Sequence, residues 1–187
     1  MKLGPVIGAV VAIGAALAVI ILLRTSGPEG TGVGVKQAEA ARCDKGSSDC
    51  LPSMTFVDTE GEAITPEQLD GKVVMINFWA TWCHPCQSEV PNLTHAYQKY
   101  KDKGFVLFGI MTDDVDNPAL ERFAKVHHLD YPVIRVDAEL LEAFGYPDRL
   151  PTTYIYDRHG KLRVNRLGAL RDADLEHILP DLLDEQI

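Results

Sequence analysis

The sequence predicts an α/β sandwich, a mixed β-sheet with helices on both faces. Short apolar runs at Val73 to Trp79 and Phe105 to Met111 alternate with segments of helical periodicity, and the chain closes with an antiparallel hairpin and one more helix. Taken in order, Met54-Thr55-Phe56-Val57, the turn Asp58 to Gly61 and Ala63-Ile64 read as a small hairpin. Thr65-Pro66-Glu67-Gln68 is a capping-box start with Pro at the first helical position, and Gly71 is its stop. The run at 73–79 reads as a strand. Behind it Cys86, Val90, Leu93, Tyr97 and Tyr100 recur at spacings of four and three, which predicts a helix with one buried face. Pro91 inside it predicts a kink. The run at 105–111 fits a strand covered on both sides. Asn117-Pro118 should cap a helix that buries Leu120, Phe123 and Ala124. Tyr131 to Val136 reads as another strand, and Asp137 opens a short helix with Leu140, Leu141 and Phe144 inward and Gly145 as its stop. Thr152 to Asp157 and Leu162 to Leu167 form the closing hairpin. The last helix carries Leu175, Ile178, Leu179, Leu182 and Leu183, broken or restarted at Pro180.

The bulk numbers narrow the function. The chain has 187 residues, 46% of them hydrophobic, and a net charge of -9, which argues against a phosphate-binding surface and so against nucleic acid. No residue from Pro5 to Leu23 is charged, and this length of helix spans roughly 28 Å, close to a bilayer's hydrocarbon core. Residues 1–23 are read as an uncleaved transmembrane anchor. A secretory signal is the competing reading, because Ala16-Leu17-Ala18 resembles a cleavage site, but the apolar run continues to Leu23. Lys2 and the α-amino group against Arg24 place the N-terminus in the cytoplasm and the domain outside. Residues 24–42, rich in Gly and small side chains, read as a flexible linker with a reach on the order of 25 Å. Residues 43–187 form the domain.

The chemistry is concentrated in Trp82-Cys83-His84-Pro85-Cys86. Two thiols spaced C-x-x-C at the mouth of a helix can close a disulfide or separate as thiolate and thiol. The exposed helix N–H groups favour the negative sulfur nearer the end, which makes Cys83 the nucleophile and Cys86 its partner. A zinc site would need a second ligand pair, and Cys43 and Cys50 have six residues between them instead of two. His127-His128 near a helix end read as solvated, while His95, His159 and His177 have no partners at ligand spacing. No metal is expected.

These residues resemble the thioredoxin superfamily, and within it the membrane-anchored TlpA/ResA group of extracytoplasmic oxidoreductases. GKVVMINFWATWCHPCQSEVP (71–91) and LPTTYIYDRHGK (150–161) carry the resemblance, which covers about residues 51 to 185. It implies a thioredoxin fold with an N-terminal β-hairpin and a strand-helix insertion over Asn117 to Val136. It also implies a cis peptide bond at Leu150-Pro151, facing the cysteines. Thioredoxin has a buried Asp where this chain has Asn77, so that proton shuttle is missing. Glu89 matches a glutamate of the TlpA/ResA group, and on a helix it stands one turn from Cys86, where a carboxylate can take that thiol's proton. An ordinary surface glutamate is the alternative. Trp82, His84, Pro85, Leu150 and Pro151 are expected to meet the substrate. A cationic His84 would stabilise the Cys83 thiolate and make the disulfide more oxidising; a solvated bystander is equally compatible with the sequence.

Outside the cytoplasm Cys43 and Cys50 should pair, and so short a loop contributes about 2.5 kcal/mol in the chain-entropy model. A structural staple is the main reading and an electron relay to Cys83 and Cys86 the sharper one. The expected activity is that of a protein disulfide reductase with no cofactor beyond its own disulfide. The resemblance implies target proteins whose cysteines await haem or copper, as in cytochrome c maturation or oxidase assembly, and a transmembrane electron donor. The rivals are the same fold run as an oxidant or isomerase, and a copper-binding chaperone without turnover.

Overall fold

The computed structural model describes Cys43, Ser47 and residues 49–187; the expected anchor and linker, residues 1–23 and 24–42, lie outside the described residues. In chain order the elements are β1 (Phe56–Val57), β2 (Ala63–Ile64), α1 (Pro66–Leu69), β3 (Val73–Trp79), α2 (His84–Tyr100) and, after a 3-10 turn at Lys101–Lys103, β4 (Phe105–Met111). There follow α3 (Asn117–His127), β5 (Val133–Arg135), α4 (Ala138–Ala143), β6 (Thr152–Tyr156), β7 (Leu162–Leu167) and α5 (Asp172–Asp184). β1 and β2 make a separate antiparallel hairpin, and the main sheet has the order β5-β4-β3-β6-β7. β4 is parallel to β3 and β5, whereas β6 is antiparallel to β3 and β7. This is the mixed sheet that the sequence predicts.

β3 sits at the centre, and every one of its residues is buried. Because successive side chains of a strand alternate faces, it feeds two cores. Val73 and Met75 pack with Val90, Leu93 and Ala96 of α2 and with Leu175 and Leu179 of α5. Val74, Ile76 and Phe78 pack with Phe56, Leu69, Phe108, Leu140 and Phe144 on the other face. Each such side chain contributes about 1.5–3 kcal/mol through burial, which fixes β3 as the rigid element on which its C-terminal end is carried.

Two local expectations are corrected. α5 runs unbroken through Pro180, which neither interrupts nor restarts it; Pro91 lies inside α2, as expected. The cap of α3 is Asp116, whose carboxylate accepts the Ala119 N–H at 2.7 Å, and Asn117 is the first helical residue. Asp is as good a cap as Asn, and the structure selects the one that puts Pro118 inside the first turn, where its missing N–H costs nothing.

Arg158, in the turn between β6 and β7, ties distant parts of the chain together. Its guanidinium donates to the carbonyls of Leu183 (2.7 and 3.1 Å), Gly71 (2.9 Å) and Lys103 (3.2 Å). It thus caps the last turn of α5 and the 3-10 turn with one cation, where the backbone carbonyls favour positive charge. Arg158→Ala is expected to cost about 2 kcal/mol of unfolding free energy, read by urea denaturation with both disulfides intact. Arg158→Lys should recover only part of this, because a point charge cannot donate in three directions from one plane.

The entry of the chain is fixed at the same end. Cys50 bridges Lys161, the Leu51 N–H donates to the Gly160 carbonyl at 2.8 Å, and the Cys43 N–H donates to the His159 carbonyl at 3.2 Å. Since Val74 pairs with Tyr156, this turn lies beyond the N-terminal end of β3.

Candidate active site

β3 ends at Trp79, and the backbone turns so that the Cys83 N–H donates to the Ala80 carbonyl at 3.1 Å. Cys83 is the N-cap of α2, and its sulfur accepts the Cys86 N–H at 3.3 Å. That contact is the helix-terminus interaction the C-x-x-C spacing implies, and it favours negative charge on this sulfur. The two cysteines are bonded, with their Cα atoms 5.2 Å apart. Cys83 keeps 5% of its surface exposed and Cys86 none, so an outside partner reaches only the first sulfur.

Around Cys83 the chain forms an open groove of about 550 Å³ lined by Trp82, Pro85, Val136, Leu141, Leu150 and others. Trp82 is 66% exposed beside the cysteine, and His84 and Pro85 are also exposed. The Leu150-Pro151 bond is cis, as the resemblance implies, and Leu150 packs against the cluster that holds Cys83 and Cys86. The groove wall is mainly apolar, with His84, Thr112 and Asp148 as its polar members.

Behind the disulfide lies Glu89, 1% exposed on the turn of α2 that follows Cys86. The structure thereby removes the reading of Glu89 as an ordinary surface residue. One of its oxygens accepts from Asn77 Nδ2 at 2.9 Å and the other from the Leu170 N–H at 2.9 Å. Asn77 Nδ2 also reaches Thr153 Oγ1 at 3.0 Å. Burial pushes the Glu89 carboxyl up to about 7, against a downward pull from the Leu170 and Asn77 hydrogen bonds. The same carboxylate adds to burial in holding the Tyr131 hydroxyl far above its ordinary range. A buried carboxyl that titrates near neutrality one turn from a buried thiol can exchange a proton with it.

Asn77 is therefore more than the place of a lost aspartate. It is the donor that holds Glu89 to the central strand, a role that the sequence reading missed. The signal was one polar residue inside an otherwise apolar strand, since a buried amide needs a buried partner. Next to it, across the β3–β4 register, is Gly109, where a Cβ would stand 2.8 Å from Tyr131 Cε2 and 2.9 Å from Trp79 Nε1. Only glycine lets those two rings close over the strand there.

Cys43 and Cys50 form the second disulfide, with Cα atoms 5.6 Å apart. Cys83 lies beyond the C-terminal end of β3 and Cys50 beyond its N-terminal end, so a strand length of about 20 Å separates the two pairs. They cannot exchange directly within one molecule. His127 ends α3 with its ring 4.2 Å from that of Phe123, and His128 follows in a left-handed conformation. His95 pairs with Asp172 at 3.1 Å, and His159 meets the Gln186 carbonyl at 3.1 Å. Among the described residues no three His, Cys, Asp or Glu side chains are grouped to hold a metal ion.

The fold and this site define a thioredoxin-fold thiol–disulfide oxidoreductase, and comparison with known proteins agrees. The chain is similar to a thiol:disulfide interchange protein of the thioredoxin family from Chlorobium tepidum TLS, with a TM-score of 0.66 and 30% identity. The match covers 75% of this chain and 99% of that one. It is 35% identical over 129 residues to the thiol-disulfide oxidoreductase ResA of Bacillus thuringiensis subsp. konkukian, covering 68% of this chain and 73% of that protein. The Bacillus subtilis ResA is 32% identical over 123 residues, 65% of this chain and 68% of that protein. Residues 48–165 match the AhpC/TSA family. The chain belongs to that family, as a ResA-like thiol–disulfide oxidoreductase acting on disulfide-containing proteins.

Proposed function

We propose that this protein reduces disulfides in other proteins outside the cytoplasmic membrane, tethered there by residues 5–23. Its targets are proteins whose cysteines must be free to bind haem or copper. The observation that supports the cycle is the asymmetry of the site, with one sulfur facing an open groove and the other sealed in front of a buried carboxyl. The Cys83 thiolate attacks a target disulfide, forming one mixed S–S bond and releasing one target thiol. Cys86 then loses its proton to Glu89 and attacks the Cys83 sulfur. The second target thiol leaves, the target has gained two electrons, and Cys83–Cys86 is a disulfide again. A transmembrane electron donor must return the two electrons, because the compartment is oxidising. Trp82, His84, Pro85, Leu150 and Pro151 border the bound target segment. The disulfide is the whole redox equipment, with no added cofactor, and Cys43–Cys50 is a staple that holds the chain entry to the β6–β7 turn.

Graded redox titration with thiol trapping, read beside trapping by Cys86→Ser, tests this. The expected result is a low midpoint for Cys83–Cys86, a still lower one for Cys43–Cys50, and accumulation of mixed disulfides at Cys83 in Cys86→Ser. An active-site midpoint as high as those of strong oxidants would favour disulfide formation as the physiological direction. The two pairs titrating together would replace the staple with a relay between molecules. Stable copper binding by the reduced domain without turnover on a disulfide substrate would favour the chaperone.

A further inference from the structure

Beside the cysteines, the residue with the most complete set of bonds in the active-site turn is Thr81, and the group that holds it comes from another part of the chain. Its N–H is shared between both carboxylate oxygens of Asp113, each at 3.2 Å, and its hydroxyl donates to Asp113 Oδ2. Its carbonyl accepts from Gln87 Nε2, in the first turn of α2, at 2.6 Å. Asp113 lies just past the end of β4, and its neighbour Thr112 is fastened to the end of β3, with its N–H 2.9 Å and its hydroxyl 3.1 Å from the Trp79 carbonyl. The following residue, Trp82, is exposed and gives the turn no support. Apart from these bonds, the turn from Ala80 to Cys83 is closed by one backbone hydrogen bond.

We propose that Asp113 is the positioning residue of the nucleophile, gripping Thr81 by two donors at once so that the Cys83 sulfur is held over the first turn of α2. This rests on the reading of Cys83 as the attacking sulfur. Aspartate suits this role, because an N–H and an O–H from Thr81 converge on a single side chain and a carboxylate has the lone pairs to accept both. Charge-assisted bonds of this kind are about twice as strong as neutral ones. Releasing the grip lets Cys83 leave the helix N–H groups that favour its thiolate, and misplacing an attacking atom by even about 1 Å can cost 10²-fold in rate. Both sulfurs pack in one apolar cluster, but Cys86 lies within α2 whereas Cys83 is its N-cap, the residue that the turn delivers.

The test uses the reduced full chain, its wild type first labelled by a short iodoacetamide pulse near neutral pH and mapped by mass spectrometry. Labelling at Cys86 in the wild type would defeat the assignment of the nucleophile, whatever Asp113 does. With label at Cys83, Asp113→Ala is expected to slow labelling, and attack on a disulfide substrate, by about tenfold or more. Asp113→Asn, which keeps an amide oxygen to accept both donors, should stay within about threefold. Thr81→Val should fall between the two, and Thr81→Ser should behave as wild type. Because the Cys83 sulfur is also the atom that Cys86 attacks, resolution of the mixed disulfide should slow in parallel. The pH profile of Cys83 labelling should move to higher pH in Asp113→Ala and Thr81→Val as the thiolate loses the helix N–H groups, which a general loss of stability would not do. Equal labelling rates in all variants would overturn the proposal. So would faster labelling in both Asp113 variants, which would mean that the carboxylate acts on Cys83 by its charge alone. If Asp113→Ala does not fold, the comparison of Thr81→Val with Thr81→Ser decides.

Discussion

Glu89→Gln is expected to slow resolution of the mixed disulfide by about 10²- to 10⁴-fold, the usual contribution of a positioned general base, while attack by Cys83 changes little. Free thiols are mostly protonated at neutral pH, and Cys86 has no exposed surface from which water could take its proton. Glu89, one turn further along α2 and titrating at about 7, is the acceptor placed to do so. Gln keeps the shape and can still accept the Leu170 N–H. Asn77 Oδ1, buried without a hydrogen-bond partner, is free to accept from the new amide if the Asn77 side chain turns over. The variant should therefore fold, and its defect should lie in the proton. Stopped-flow Trp fluorescence resolves the two steps. In the wild type, resolution should rise with pH and level off above about 7, once Glu89 is ionised, whereas in Glu89→Gln it should follow the ionisation of the thiol itself with no inflection near 7. Equal resolution rates across neutral pH would reduce Glu89 to a structural residue.

That two different demands can be assigned, the place of the Cys83 sulfur to Asp113 and the proton of Cys86 to Glu89, reflects what the sequence could and could not show. The strands at 73–79 and 105–111 were legible because a strand buried on both faces has little choice but to be apolar throughout. The C-x-x-C was legible because its chemistry is local, set by one helix turn. The contacts that hold those parts in place are not local. Asp113 grips Thr81 across 32 residues of chain, Leu170 reaches Glu89 across 81, and Arg158 reaches Gly71 across 87. No periodicity or spacing announces such pairs, since each partner alone looks like a surface residue or a plain backbone group. Asn77 was the intermediate case. Its position inside an apolar strand announced a buried partner, yet which residue that was depended on the register of α2 against β3. The errors at Asn117 and Pro180 are of another kind, choices between neighbouring caps and between breaking and bridging a helix, where local preferences differ by little and packing decides.

The buried carboxyl should also be visible in the stability of the domain. A group whose pKa stands at about 7 in the folded protein against an ordinary 4.5 holds, over that interval, a proton that the unfolded chain has released. Its contribution is therefore fully present below about 4.5 and is lost as pH rises, levelling off above about 7, with a total change of up to about 3 kcal/mol. Asp174 works in the opposite sense, since the Arg171 hydrogen bonds hold it down to about 2, and what it contributes is lost only as pH falls toward that value. The two windows do not overlap, so the slope between pH 4.5 and 7 isolates Glu89 when wild type and Glu89→Gln are compared. Urea denaturation of the oxidised proteins should show the wild type losing up to about 3 kcal/mol more than the variant across this range. Parallel curves would mean that Glu89 is not held protonated by burial. Burying an ionised carboxylate at neutral pH is a cost the core could have avoided with a glutamine. Its retention beside a sulfur that must shed a proton at that same pH is what a site built for turnover, at some expense of stability, requires.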